Sequence, residues 1–209
     1  MKSDIEKDFL KQFENFSKYQ KKLEKLADEV EHQYALKDRL DDDLDKDVSR
    51  IFFRKKMLMK DGKYLLNNIN NMLSLFNEFY SILESQEKII DNMKNTAKKM
   101  SYMEDIDNNK KRTATRLGNM LKRANSHLKK NIKAQIEFVK FDKGRGKYAI
   151  KYGKGLMSTE NFIKEYHSFI ERIGDYTFIK TITYKSVSEE FPHKTSEAII
   201  NFQKAWIIK

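Results

Sequence analysis

The sequence predicts a mainly α protein: a long antiparallel helical coiled-coil bundle over residues 1–141, with a small α+β region over 142–209. Three observations predict it. In 209 residues there are 7 Gly and 1 Pro, too few for a turn-dense β sandwich. Charged residues make up 35% against 39% hydrophobic, a charge-rich and apolar-poor balance. Finally, the apolar residues of the first half recur at helical and not strand spacing.

The first helix is read from Phe9, Phe16, Leu23, Val30, Lys37, Leu44 and Ile51, spaced by sevens, with Tyr19, Leu26 and Leu40 filling intermediate positions. Asp38, Asp41, Asp42, Asp43, Asp45 and Asp47 interrupt it with like charges and poor helix formers, which calls for a kink, a break or an ionic partner near 41–47. Asp61-Gly62 supplies a stop, with Gly62 suited to a left-handed C-cap. From Lys63 onward the strongest signal begins. Leu65, Ile69, Met72, Phe76, Phe79, Leu83, Gln86, Ile90, Met93, Ala97 and Met100 alternate strictly by four and three, the 3.5-residue repeat of a coiled-coil seam. At 1.5 Å per residue, a helix over 63–106 would be roughly 65 Å long. Such a seam needs a burial partner, namely the chain's own antiparallel helices, a second copy or both; an elongated homo-oligomer or a helical partner protein is expected, with Leu65, Ile69, Met72, Phe76, Phe79, Leu83, Ile90 and Met93 as the oligomerisation face.

A third helix is expected from Asp107-Asn108-Asn109, whose side chains suit an N-cap. Its seam reads Ala114, Leu117, Leu121, Ala124, Leu128, Ile132, Gln135 and Val139. With Ala114 as heptad position a, Arg112, Arg116, Lys122, Arg123, Lys129, Lys130, Lys133 and Lys140 fall at b, c or f, away from the seam. Beyond Phe141, the run Asp142-Lys-Gly-Arg-Gly-Lys147 reads as a break, and Tyr148–Tyr152 as a short strand or ordered loop. Ser158 or Thr159 would cap a helix carrying Phe162, Ile163, Tyr166, Phe169, Ile170 and Ile173, ended by Gly174. Tyr176–Val187 alternates with period two, as a strand does, and Pro192 precedes a last helix of about Thr195–Ile208.

Charge is concentrated in one place. Residues 1–93 carry a net −2, residues 94–154 a net +13 and residues 155–209 zero, so the whole excess of +11 belongs to the central segment. A block of one sign points to a polyanionic partner. Arg112, Arg116, Lys122, Arg123, Lys129, Lys130 and Lys133, continued by Arg145, Lys147 and Lys151, would meet phosphates, with Tyr148 and Tyr152 as stacking surfaces for bases. No recognition-helix or RNA-binding fingerprint is present, so binding would be driven by the phosphate backbone.

Catalytic signals are nearly absent. No phosphate-loop, nucleophile-elbow or His-Glu-x-x-His spacing occurs, and His32, His127, His167 and His193 are far apart. With no Cys there is neither a disulfide nor a thiolate metal site. Asp41–Asp47 fails as a calcium loop, because Lys46 and Phe52 stand where Gly and Glu are required. No cofactor, metal or small-molecule substrate is expected. No apolar run approaches the roughly 20 residues of a membrane span, and a cytoplasmic location is expected. The expected function is therefore a non-enzymatic coiled-coil assembly protein that binds nucleic acid or a nucleic-acid-containing complex. Over residues 4–141 the three long helices with a basic face also resemble, in architecture and without a matching motif, crescent-shaped BAR-type dimers. That resemblance implies an anionic membrane as an alternative partner. An acidic protein partner is a third.

Overall fold

The computed structural model describes residues 3–51, 54–172 and 191–206. Among these residues all regular structure is helical: α1 (Asp4–Val48), α2 (Lys55–Ser101), α3 (Asn108–Gly153), α4 (residues 159–172) and α5 (Phe191–Trp206). The mainly α class holds. The α+β character expected of 142–209 is not supported, because the described part of that region is helical. The strand expected at Tyr176–Val187 lies outside the described residues.

Local chemistry accounts for the helix ends. Ser3 opens α1 with its backbone N–H donating to the Glu6 carboxylate at 2.7 Å, half of a capping box. Asp107 caps α3 by accepting the N–H groups of Asn109 at 2.9 Å and Lys110 at 3.1 Å. After Gly153, the Leu156 N–H bonds the Lys151 carbonyl and the Gly155 N–H bonds the Tyr152 carbonyl, both at 2.9 Å. This is a Schellman motif, and Gly155 takes the left-handed conformation it requires, at φ 72°. Ser158 caps α4 through the Asn161 N–H at 3.2 Å. Helix α5 starts at Phe191, so Pro192 stands within its first turn, where a missing N–H costs no helical bond.

The described residues pack as two compact units. The first comprises those of Met1–Glu24, Phe79–Ile132 and Thr183–Lys209. Within it α1 runs antiparallel to α2, since Gln12 bonds Thr96 at 3.1 Å and Gln20 bonds Gln86 at 3.3 Å. Gln86, the one polar seam residue, thus has a polar partner. The core joins Phe9, Phe13 and Phe16 to Ile90, Met93, Ala97, Leu117 and Leu121. Ala198, Phe202 and Trp206, spaced by fours on α5, close it, with the Phe202 ring 4.9 Å from Phe13 and Trp206 stacked on Phe9 at 5.4 Å. Leu128, expected in the α3 seam, is exposed instead.

The second unit comprises the described residues of Lys25–Glu78 and Lys133–Ile182. Its sequence reading needs three corrections. Gly62 does not end a helix: it lies inside α2, and the chain reverses earlier, between Val48 and Lys55. Asp142–Lys147 does not break α3, and Tyr148–Tyr152 is helix and not strand. The glycines serve packing. A Cβ on Gly62 would lie 2.8 Å from the Gly146 carbonyl oxygen, and one on Gly146 would lie 2.9 Å from the Gly62 oxygen. The two backbones therefore approach more closely than any side chain allows.

Helix α1 is unbroken through the aspartate run, which meets ionic partners. Lys37, buried, donates to Asp41 at 2.5 Å and Asp142 at 2.8 Å. Arg145, also buried, bonds Asp142 at 3.0 Å and pairs with Asp41, while the Tyr166 hydroxyl donates to Asp45. Burial alone would disfavour the Arg145 charge, yet Asp142 and Asp41 hold its pKa above the ordinary range. Burial outweighs those same cations at Asp41 and pushes its carboxyl pKa up. These four residues form an ionic layer in a unit whose buried apolar residues include Leu44, Leu65, Ile69, Val139 and Phe162.

Asp47, buried, pairs with Arg54 at 2.8 Å, and Asp61 faces it from α2. Burial first, then the neighbouring Asp47 and Asp43, push the Asp61 carboxyl from 3.8 up to about 6, against a weaker pull from Lys60. A raised carboxyl pKa means the folded state holds a proton the unfolded chain releases. The associated stability is full below about pH 4 and is lost as pH rises through about 6. Asp61→Asn is expected to be more stable than wild type at pH 7 and to flatten the stability profile between pH 4 and 7. Urea unfolding across that window checks it, and an Asn variant with the wild-type slope contradicts it.

Candidate nucleic-acid interface

Heptad position divides the α3 cations into two sets. Lys122 and Lys129 occupy b, beside the acidic edge of α2. The Lys122 Nζ lies 2.9 Å from Glu87 and 2.8 Å from Asp91, and the Lys129 Nζ 2.7 Å from Glu87. Hydrogen bonds from Lys129 and Lys122 hold the Glu87 pKa below the carboxylate range. Burial opposes the charge of Lys122, but Asp91 and Glu87 raise its pKa; Lys129 is raised first by its bond to Glu87. In the two pairs with Glu87, both sides shift toward the ionised form. The two lysines are spent inside the unit.

Positions c and f are different. Arg112, Arg116, Arg123 and Lys130 are exposed in the first unit. Lys111, Arg112, Arg116 and Arg123 line an open groove of about 610 Å³, with Asn108, Thr115 and Asn119 between them and no carboxylate in its lining. A second groove of about 330 Å³ shares Arg112 and Arg116 and reaches Asn201 and Lys204 on α5. Arg116 makes an exposed pair with Glu197 at 3.3 Å, a contact of the kind worth little in water. Arg112 and Arg123 have no ion-pair partner among the described residues. The arrangement offers guanidinium forks and neutral amides to an anion.

In the second unit, Lys133, Lys147 and Lys151 are exposed at c or f. Two residues assigned to binding from sequence are not available. Arg145 is 3% exposed in the ionic layer, and Tyr152 is fully buried with its ring stacked on Phe162 at 4.8 Å. Tyr148 is half-buried, edge-on to Phe169. The most exposed aromatic among the described residues is Tyr102, 76% exposed in the connection between α2 and α3, which the sequence reading did not single out.

The eight residues assigned to oligomerisation also change place. Leu65, Ile69, Met72, Phe76, Phe79, Leu83, Ile90 and Met93 are all buried within a single chain. The chain's own helices, one of the partners such a seam calls for, bury these residues. No family model, curated protein or solved structure matches the chain. No helix of the described residues is long and apolar enough to cross a membrane.

Proposed function

We propose that this is a non-enzymatic helical protein that binds nucleic acid, or a nucleic-acid-containing assembly, through the c and f cations of the first half of α3. One observation carries the proposal: Arg112, Arg116 and Arg123 line a groove without a carboxylate, while the lysines at position b are neutralised by α2. Phosphates bound there displace counterions from the nucleic acid, so affinity falls steeply with salt, by about 0.7 to 0.9 logarithmic units per contact for each tenfold rise.

Fluorescence anisotropy with labelled oligonucleotides of about 16 nucleotides, between about 50 and 200 mM salt, tests it. Wild type is expected to bind with a steep slope. The variant Arg112→Glu/Arg116→Glu/Arg123→Glu should weaken binding and lower the slope by about 2 to 3, one contact per arginine. An unchanged slope overturns the assignment of these residues. Binding to anionic phospholipid vesicles without binding to any oligonucleotide replaces nucleic acid with a membrane surface, and binding to neither leaves an acidic protein.

A further inference from the structure

We infer that the groove takes single-stranded nucleic acid, with Tyr102 as the platform on which one unpaired base stacks. The inference rests on the polyanion reading above and adds the state of the strand. Tyr102 is the most exposed of the large hydrophobic side chains among the described residues. Its backbone is nevertheless fixed: the Tyr102 N–H bonds the Lys99 carbonyl at 3.2 Å, and the Met103 N–H bonds Met100 at 3.1 Å. A ring held out in water from an ordered turn keeps its face free at little entropic cost when a flat partner arrives. Ser101 lines the arginine groove, and the Tyr102 Cα follows at about 3.8 Å, next in the chain to a groove residue.

The choice of cation points the same way. The chain holds 34 Lys and only 8 Arg, yet 3 of those 8 lie between 112 and 123 and line this groove. Arginine's planar fork binds a phosphate through two hydrogen bonds and stacks on bases, which a lysine ammonium does not do. Asn108, Thr115 and Asn119 between them supply neutral donors and acceptors for base edges. In a duplex the base faces are covered by their neighbours, so an external ring gains nothing. An unpaired base has a free face, and stacking on an aromatic side chain is sequence-tolerant.

The test uses the full chain with a single strand and a duplex of the same sequence. Wild type should prefer the single strand. Tyr102→Ala should weaken single-strand binding about 5- to 150-fold, with the salt slope and the duplex affinity unchanged. Tyr102→Phe should restore the single-strand affinity, which separates stacking from the hydroxyl. Because Tyr102 is exposed, both variants should keep the wild-type melting temperature. Equal affinity for the two forms, or wild-type binding by Tyr102→Ala, overturns the inference while leaving a salt-dependent polyanion site standing. Absence of oligonucleotide binding by the wild-type protein overturns the nucleic-acid reading itself.

Discussion

Arg145→Ala is expected to lower the unfolding free energy by about 3–5 kcal/mol. Arg145 is 3% exposed and holds two carboxylates, Asp142 and Asp41; Asp142 is itself fully buried. Removing the guanidinium leaves Lys37 as the one remaining cation for both acids. An uncompensated buried charge carries most of the penalty, more than the lost packing does. Lys147→Ala, two residues along and exposed, should change stability by no more than about 0.5 kcal/mol. Replacing Lys37, Asp41, Asp142 and Arg145 together by apolar residues of similar volume should recover much of the loss, because nothing charged is then stranded. Urea unfolding at neutral pH measures all three. A loss below about 1 kcal/mol in Arg145→Ala would mean that water reaches the layer and solvates the acids.

Gly146→Ala is the second large effect, and its sign is informative. In the interior of a helix, Gly to Ala is ordinarily stabilising by about 0.5–1 kcal/mol, since alanine restricts the unfolded backbone. Here the added methyl would lie 2.9 Å from the Gly62 carbonyl oxygen and 2.9 Å from the Leu66 Cγ. The first is backbone, which yields only if α2 and α3 separate. We expect a net loss of about 1–3 kcal/mol, the range of overpacked cores. Gly62→Ala meets the Gly146 oxygen at 2.8 Å and should behave alike. The double variant should cost less than the two losses added, because one separation of the helices accommodates both methyls. Thermal melts of the three proteins decide it; a stabilised Gly146→Ala would show that the close crossing is absent in solution.

Much of the fold is legible in periodicity, and the errors have physical causes. Steps of seven from Ala114 lead to Asp142 and Ala149, and steps of seven from Leu117 lead to Arg145 and Tyr152. All four are buried. The heptads therefore predict a seam through residue 152, while Gly144 and Gly146 read as a helix break after Phe141. A glycine that breaks a helix and one that lets another helix approach are the same letter; only its neighbour, Gly62, distinguishes them. Lys37 likewise sits in an α1 series of sevens, and its burial is intelligible once Asp142 is recognised as a seam position on α3.

At the candidate site, the outward faces of α3 followed from the pattern, while their division did not. Position b flanks the neighbouring helix, and Glu84, Glu87 and Asp91 on α2 were the signal that its lysines would be paired. Tyr102 carries no periodic signal because it lies in a connection. Its exposure is known only once the turn is built.

The division of the α3 cations by heptad position is tested most directly by two variants with the same change in net charge. Lys122→Gln/Lys129→Gln removes two cations at b, and Arg116→Gln/Arg123→Gln removes two at c. Anisotropy titration with one single-stranded oligonucleotide at low salt compares them. Binding should fall about tenfold or more, and the salt slope between about 50 and 200 mM should be shallower by about 1.4, in the arginine variant alone. The lysine variant should bind within about twofold of wild type and instead lose stability. Equal losses of affinity in the two would mean that total charge, and not its placement on α3, governs binding.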